Sequence, residues 1–60
     1  MKRFNVHWWN GSVWEYMATV SADSGQLAVQ LVAKKFGLIG RFASYPNETP
    51  TSDTVFMMVG

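Results

Sequence analysis

Nucleophilic catalysis needs a hydroxyl or thiol, a base to take its proton and a group to orient that base. The sequence holds one histidine, His7, and the acidic residue best placed to meet it is Glu15. If residues 3–20 form a hairpin, the two share its polar face and lie close across the strands. A His-Glu pair on an open sheet is ordinarily a surface hydrogen bond, and the sequence supplies neither an orienting third member nor an oxyanion donor. A structural zinc needs about four converging Cys, His or carboxylate ligands. With no cysteine, one histidine and four scattered acidic residues, no such cage can be assembled. Gly11, Gly37 and Gly40 do not have the spacing of a phosphate-binding loop. The expectation is a chain that is not an enzyme and carries no cofactor.

The remaining chemistry is that of surfaces. Aromatic residues make up 15% of the chain and include three tryptophans. Aromatic rings beside basic groups on an open sheet suit single-stranded nucleic acid, through stacking and phosphate contacts. The candidates are Lys2, Arg3, Trp9, Lys34, Lys35 and Arg41, with Tyr45 as a further ring. Against this stand Glu15, Glu48 and Asp53, a formal charge of +1 and a pI of about 8.2. Nucleic-acid-binding domains usually have a pI above about 9, and no ribonucleoprotein motif occurs here. A protein partner fits better, because Trp, Tyr, Met and Arg are favoured at interface centres. The expected anchors are Trp9, Met17, Arg41, Tyr45, Phe56, Met57 and Met58. Nucleic acid is kept as the alternative.

The element that must position these groups is residues 3–20, RFNVHWWNGSVWEYMATV, two alternating arms bent at Asn10-Gly11. Loop length decides which face is apolar. A two-residue turn would scatter the large rings over both faces, whereas a three-residue loop, Trp9-Asn10-Gly11, with Gly11 left-handed in a G1 bulge, sorts them. That register pairs Trp8 with Ser12, Val6 with Trp14 and Phe4 with Tyr16. It gathers Phe4, Val6, Trp8, Trp14, Tyr16, Ala18 and Val20 on one face, and Arg3, Asn5, His7, Trp9, Val13, Glu15, Met17 and Thr19 on the other. Trp8 and Trp14 are then core residues, and Trp14→Ala is expected to cost about 3–5 kcal/mol. Trp9 falls on the polar face, either under a later loop or against a partner.

A helix follows over residues 24–36. Asp23 is the expected N-cap, with Gln26 as capping-box partner. Leu27, Ala28, Leu31, Val32 and Phe36 form the expected buried stripe, with Val29 and Ala33 at its margins. Lys34 and Lys35 suit the C-terminal end of the helix dipole, and Gly37 is a natural left-handed terminator. Residues 38–45 form a third strand whose phase is open: Phe42 and Gly40 face the helix, or else Ile39, the Arg41 stem, Ala43 and Tyr45 do. Residues 46–53 are a polar loop, and residues 54–59 a fourth strand. The fold class is therefore α+β: a two-layer sandwich, β-β-α-β-β, with a mainly antiparallel sheet in the order 2-1-3-4 and one helix on one face.

Sixty residues allow one domain and a thin core. Without cysteines or a metal, either an unusually aromatic core or self-association must stabilise it, and a homodimer is the favoured expectation. No stretch approaches the ~20 apolar residues of a membrane span, and the start of the chain does not read as a signal peptide. Cytoplasmic residence and no membrane contact are expected. The sequons at Asn10 and Asn47 are read as chance matches. In size and layout the chain is similar to many small phage accessory proteins, including inhibitors of bacterial defence complexes. That similarity implies a module which occupies a surface of a larger host protein.

Overall fold

Alternating apolar residues in four stretches and a helical rhythm in one become five elements in the computed structural model of the protein, in which residues 2–48 and 53–60 are described. They are β1 (Lys2–Trp9), β2 (Trp14–Ala22), α1 (Gly25–Phe36), β3 (Gly40–Pro46) and β4 (Val55–Val59). The strands form one antiparallel sheet in the order β2-β1-β3-β4, and α1 covers one of its faces. The architecture is the α+β two-layer arrangement expected. The predicted loop over residues 46–53 is described only at its ends; residues 49–52 lie outside the described residues. At its start, Asn47 N–H donates to the Arg3 carbonyl at 2.9 Å and prolongs the β1–β3 ladder.

The hairpin register differs from the expected one. Trp9 pairs with Trp14, so the loop has four residues, Asn10 to Val13. Asn10 holds it: its Oδ1 accepts from the Ser12 and Val13 amides at 2.9 and 3.0 Å. Its backbone N–H donates to the Val13 carbonyl at 3.2 Å. Gly11 takes φ 102°, which only glycine adopts freely. An even-length loop alone would put Trp14 opposite in face to Val6, and it does. Parity is corrected lower down, where Val6 pairs with Ala18 and His7 with Tyr16, leaving Met17 unopposed in a β-bulge. Below the bulge, Ala18 and Val20 join Phe4 and Val6 on the helix-facing side. Above it, Trp14 and Tyr16 turn to the opposite face. The expectation that Trp14 and Tyr16 lie in the core is therefore wrong, while Trp8 packs against the core as expected.

Helix α1 is capped by Ser24, whose Oγ accepts from the Leu27 amide at 3.2 Å. The expected Asp23 cap is displaced because Ser24 itself is extended (φ −151°, ψ 163°), which places Gln26 one residue too early for a capping box. Gly37, at φ 66°, ends the helix as predicted. The buried stripe is rotated relative to the expected one: Gly25, Ala28, Val29, Val32 and Ala33 are buried, and Leu27, Leu31 and Phe36 are exposed. The sheet supplies the bulk, with Phe4, Val6 and Phe42 buried and Trp8 partly so, and the helix answers with small side chains. A Cβ on Gly25 would stand 2.7 Å from Ser44 Oγ, so the backbones approach too closely there for a leucine stripe. Ser44 Oγ donates to the Gly25 carbonyl at 3.1 Å and satisfies the one polar side chain in this interior.

The open phase of β3 is resolved by Phe42 and Ser44, which face the helix fully buried, so Arg41, Ala43 and Tyr45 point the other way. The strand begins at Gly40 and not at Leu38, because the Trp8 indole N–H donates to the Ile39 carbonyl at 2.8 Å and takes that group out of the ladder. Gly40 makes the bend at φ 110°.

Candidate functional site

The face away from the helix collects two of the three tryptophans and both tyrosines. Strand alternation places Asn5, His7 and Trp9 there from β1, and Arg41, Ala43 and Tyr45 from β3. Phe56 and Met58 come from β4, opposite Ala43 and Arg41. From β2 come Thr19, below the bulge, and Tyr16 and Trp14 above it.

Two ring clusters result. In the first, Trp9 and Trp14 meet with centroids 5.3 Å apart and planes at 60°. Trp14 in turn reaches Phe56 at 6.1 Å, so one row of rings spans the sheet from β2 to β4. Ala43 lies beneath this row and is buried although it is on the open face. Beside the row runs a shallow groove of about 290 Å³, lined by Trp14, Arg41, Phe42, Phe56, Met57 and Met58. Phe56 and Met58 are each 71% exposed and Trp14 is 42% exposed, a contiguous apolar surface of the kind that marks interaction sites.

In the second cluster His7 sits between two tyrosines, with Tyr16 edge-on at 5.6 Å and Tyr45 tilted at 5.5 Å. Partial burial lowers the His7 pKa below its ordinary value, so at neutral pH it behaves as a neutral ring. Thr19 Oγ1 donates to Asn5 Oδ1 at 2.6 Å, and the Tyr16 hydroxyl, 2.7 Å from Thr19 Oγ1, then donates to that oxygen. The chain of bonds fixes the Tyr16 ring against His7. The expected His7–Glu15 contact does not form. Glu15 opposes Trp8, on the other face, and accepts from Asn10 Nδ2 at 2.7 Å. Among the described residues no group of three or more His, Cys, Asp and Glu side chains is arranged to hold a metal.

Of the predicted partner-binding residues, Trp9, Arg41, Tyr45, Phe56 and Met58 share the open face. Met17 and Met57 do not: the bulge tucks Met17 against the core, and Met57 opposes the buried Phe42 on the helix side. The predicted nucleic-acid contacts are dispersed. Lys34 and Lys35 belong to the last turn of α1, in the other layer. Lys2 and Arg3 lie at the opposite end of β1 from Trp9, beside Pro46, Glu48 and Asp53 in a groove of about 150 Å³ that mixes both signs of charge. Of the six, Trp9 belongs to the ring row and Arg41 lines the groove beside it. Trp14 and Tyr16 are the site residues that sequence reasoning missed. The signal was the apolar run Tyr16-Met17-Ala18, a break in alternation at the bulge.

No helix among the described residues is long and apolar enough to cross a membrane. Comparisons with models of known protein families, with curated proteins and with solved structures find no match to this chain.

Proposed function

We propose that the protein is a non-enzymatic binding module that acts by laying its open sheet face over an apolar surface of a larger protein. The observation that carries this reading is the row Trp9–Trp14–Phe56, continued by Met58 and flanked by Arg41. Rigid rings lose little conformational freedom on binding, and one cation at the rim orients the contact without adding much desolvation cost. The test is parallel affinity capture from the source cell's lysate with the wild type, the Trp14→Ala/Phe56→Ala double variant and a Leu27→Ala/Leu31→Ala control on the helix. A partner retained by the control and lost by the double variant supports the reading. A partner lost only by the helix variant would move the site to the other layer.

A second reading, single-stranded nucleic acid stacked on the same rings, is favoured by Arg41 standing beside Trp14 and Phe56. Phosphate contacts weaken steeply with salt, whereas an aromatic protein interface responds little. Tryptophan fluorescence titrated with oligonucleotides at low and moderate salt separates the two, and absence of quenching at low salt eliminates nucleic acid.

A further inference from the structure

Beyond the open face, the edge of the sheet carries its own information. We propose that β4 is a pairing edge for a second copy of this chain: two β4 strands join antiparallel about Met57 and merge two four-stranded sheets into one.

β4 is terminal in the order β2-β1-β3-β4, so among the described residues its outer side presents backbone N–H and C=O groups with no strand beside them. Sheet edges are usually blunted by charge, proline, a bulge or brevity. The sequence VFMMV has no charge and no proline, and its ladder to β3 runs unbroken over all five residues. The other edge is different. β2 carries the Met17 bulge and Glu15, both of which discourage a further strand. Pairing through β4 therefore consumes the open edge of each copy and stops at two, as a closed two-fold assembly should.

The sequence of the strand also fits itself. With Met57 on the two-fold axis, Val55 opposes Val59 of the second copy, and Phe56 opposes Met58. Phe56 and Met58, the most exposed large apolar side chains among the described residues, become cross-strand neighbours twice over. Val55, Met57 and Val59 are half-buried on the helix side and meet their counterparts there. No charge inside the strand opposes the contact. The partner thus adds apolar cover to a core that is rich in alanine and thin for want of chain length. A five-residue ladder makes a small interface, and weak pairing, with a Kd in the micromolar range, is expected.

Sedimentation of the intact chain from about 10 to about 500 µM brackets such a Kd, with circular dichroism checking that each variant is folded. The wild type is expected to move from 6.8 kDa to twice that mass as concentration rises. F56K/M58K sets lysines against lysines at both pairs and is expected to weaken the dimer at least about tenfold. F56K/M58E sets lysine against glutamate at both pairs and is expected to restore it. Leu27→Ala/Leu31→Ala, exposed on the helix layer, is expected to leave the dimer unchanged. A wild type that stays monomeric throughout overturns the proposal. So does a folded F56K/M58E as monomeric as F56K/M58K, and so does loss of the dimer in Leu27→Ala/Leu31→Ala, which would mean pairing through the helix layer. Because F56K/M58E destroys an apolar docking surface while keeping the dimer, this inference and the binding-module reading fail separately.

Discussion

The two faces of the sheet invert the usual distribution of bulk. On the face beneath α1 the layers are closely fitted: Val6, Phe42 and Ser44 are fully buried against the small helix residues Ala28, Val29, Val32 and Ala33. On the other face stand Trp9, Trp14, Tyr16, Tyr45 and Phe56, with rings in contact with one another more than with any interior. The difference teaches that apolar content in a short chain is not a measure of its core. The close approach of α1 at Gly25 leaves no space for an indole between the layers, except at the far end where Trp8 fits beside Gly40. The rings that do not fit are held outside, where they are available to a partner.

That contrast can be broken from either side. The largest expected effect is on the covered face: Phe42→Ala removes a fully buried ring and should cost about 3–5 kcal/mol, enough to unfold most of the population in a urea titration. Next is Gly25→Ala, whose methyl would meet Ser44 Oγ at 2.7 Å and Val55 Cγ2 at 3.1 Å. A net loss of about 1–2 kcal/mol is expected despite alanine's better helix propensity, and it should shrink in a Ser44→Ala background. Trp14→Ala, on the open face, should cost less than about 1 kcal/mol in the same titration while abolishing partner capture. A loss as large as that of Phe42→Ala would show that the ring row is structural.

The smallest effect is a pH dependence centred on His7. Its folded pKa lies below the ordinary 6.5, so as pH falls through that value the unfolded chain takes up the proton first. The stability contributed by this group is complete above about pH 6.5 and declines as pH falls toward the folded pKa. Urea midpoints at about pH 7.5 and 5.5 should therefore diverge in the wild type, and this component should vanish in His7→Gln.

Much of this architecture was legible in the residues. The helix bounds, the left-handed Gly37, the strand order and the open face of β1 all follow from local alternation and short connections, which act over a few residues. The bulge did not: its one trace is the extra apolar Met17, while Trp14, Tyr16, Ala18 and Val20 keep one period across a backbone that changes parity. The rotation of α1 was hidden for a related reason. Periodicity places Leu27 and Leu31 on an apolar stripe but says nothing of how near the sheet will come, and proximity favoured the glycine and alanines. Of the candidate site, Trp9 could be placed from strand phase; Arg41, Tyr45, Phe56 and Met58 were named by residue type while the phases of β3 and β4 stayed open, and Trp14 and Tyr16 depended on the one unpaired methionine.

Met17 thus divides a single strand into two jurisdictions. Downstream of it, a change of side chain is judged by whether the layers still close; upstream, by what the molecule touches. Were the extra residue taken up in the loop instead of at Met17, Tyr16 would pair with Trp8 and both rings would swing inward, withdrawing the display.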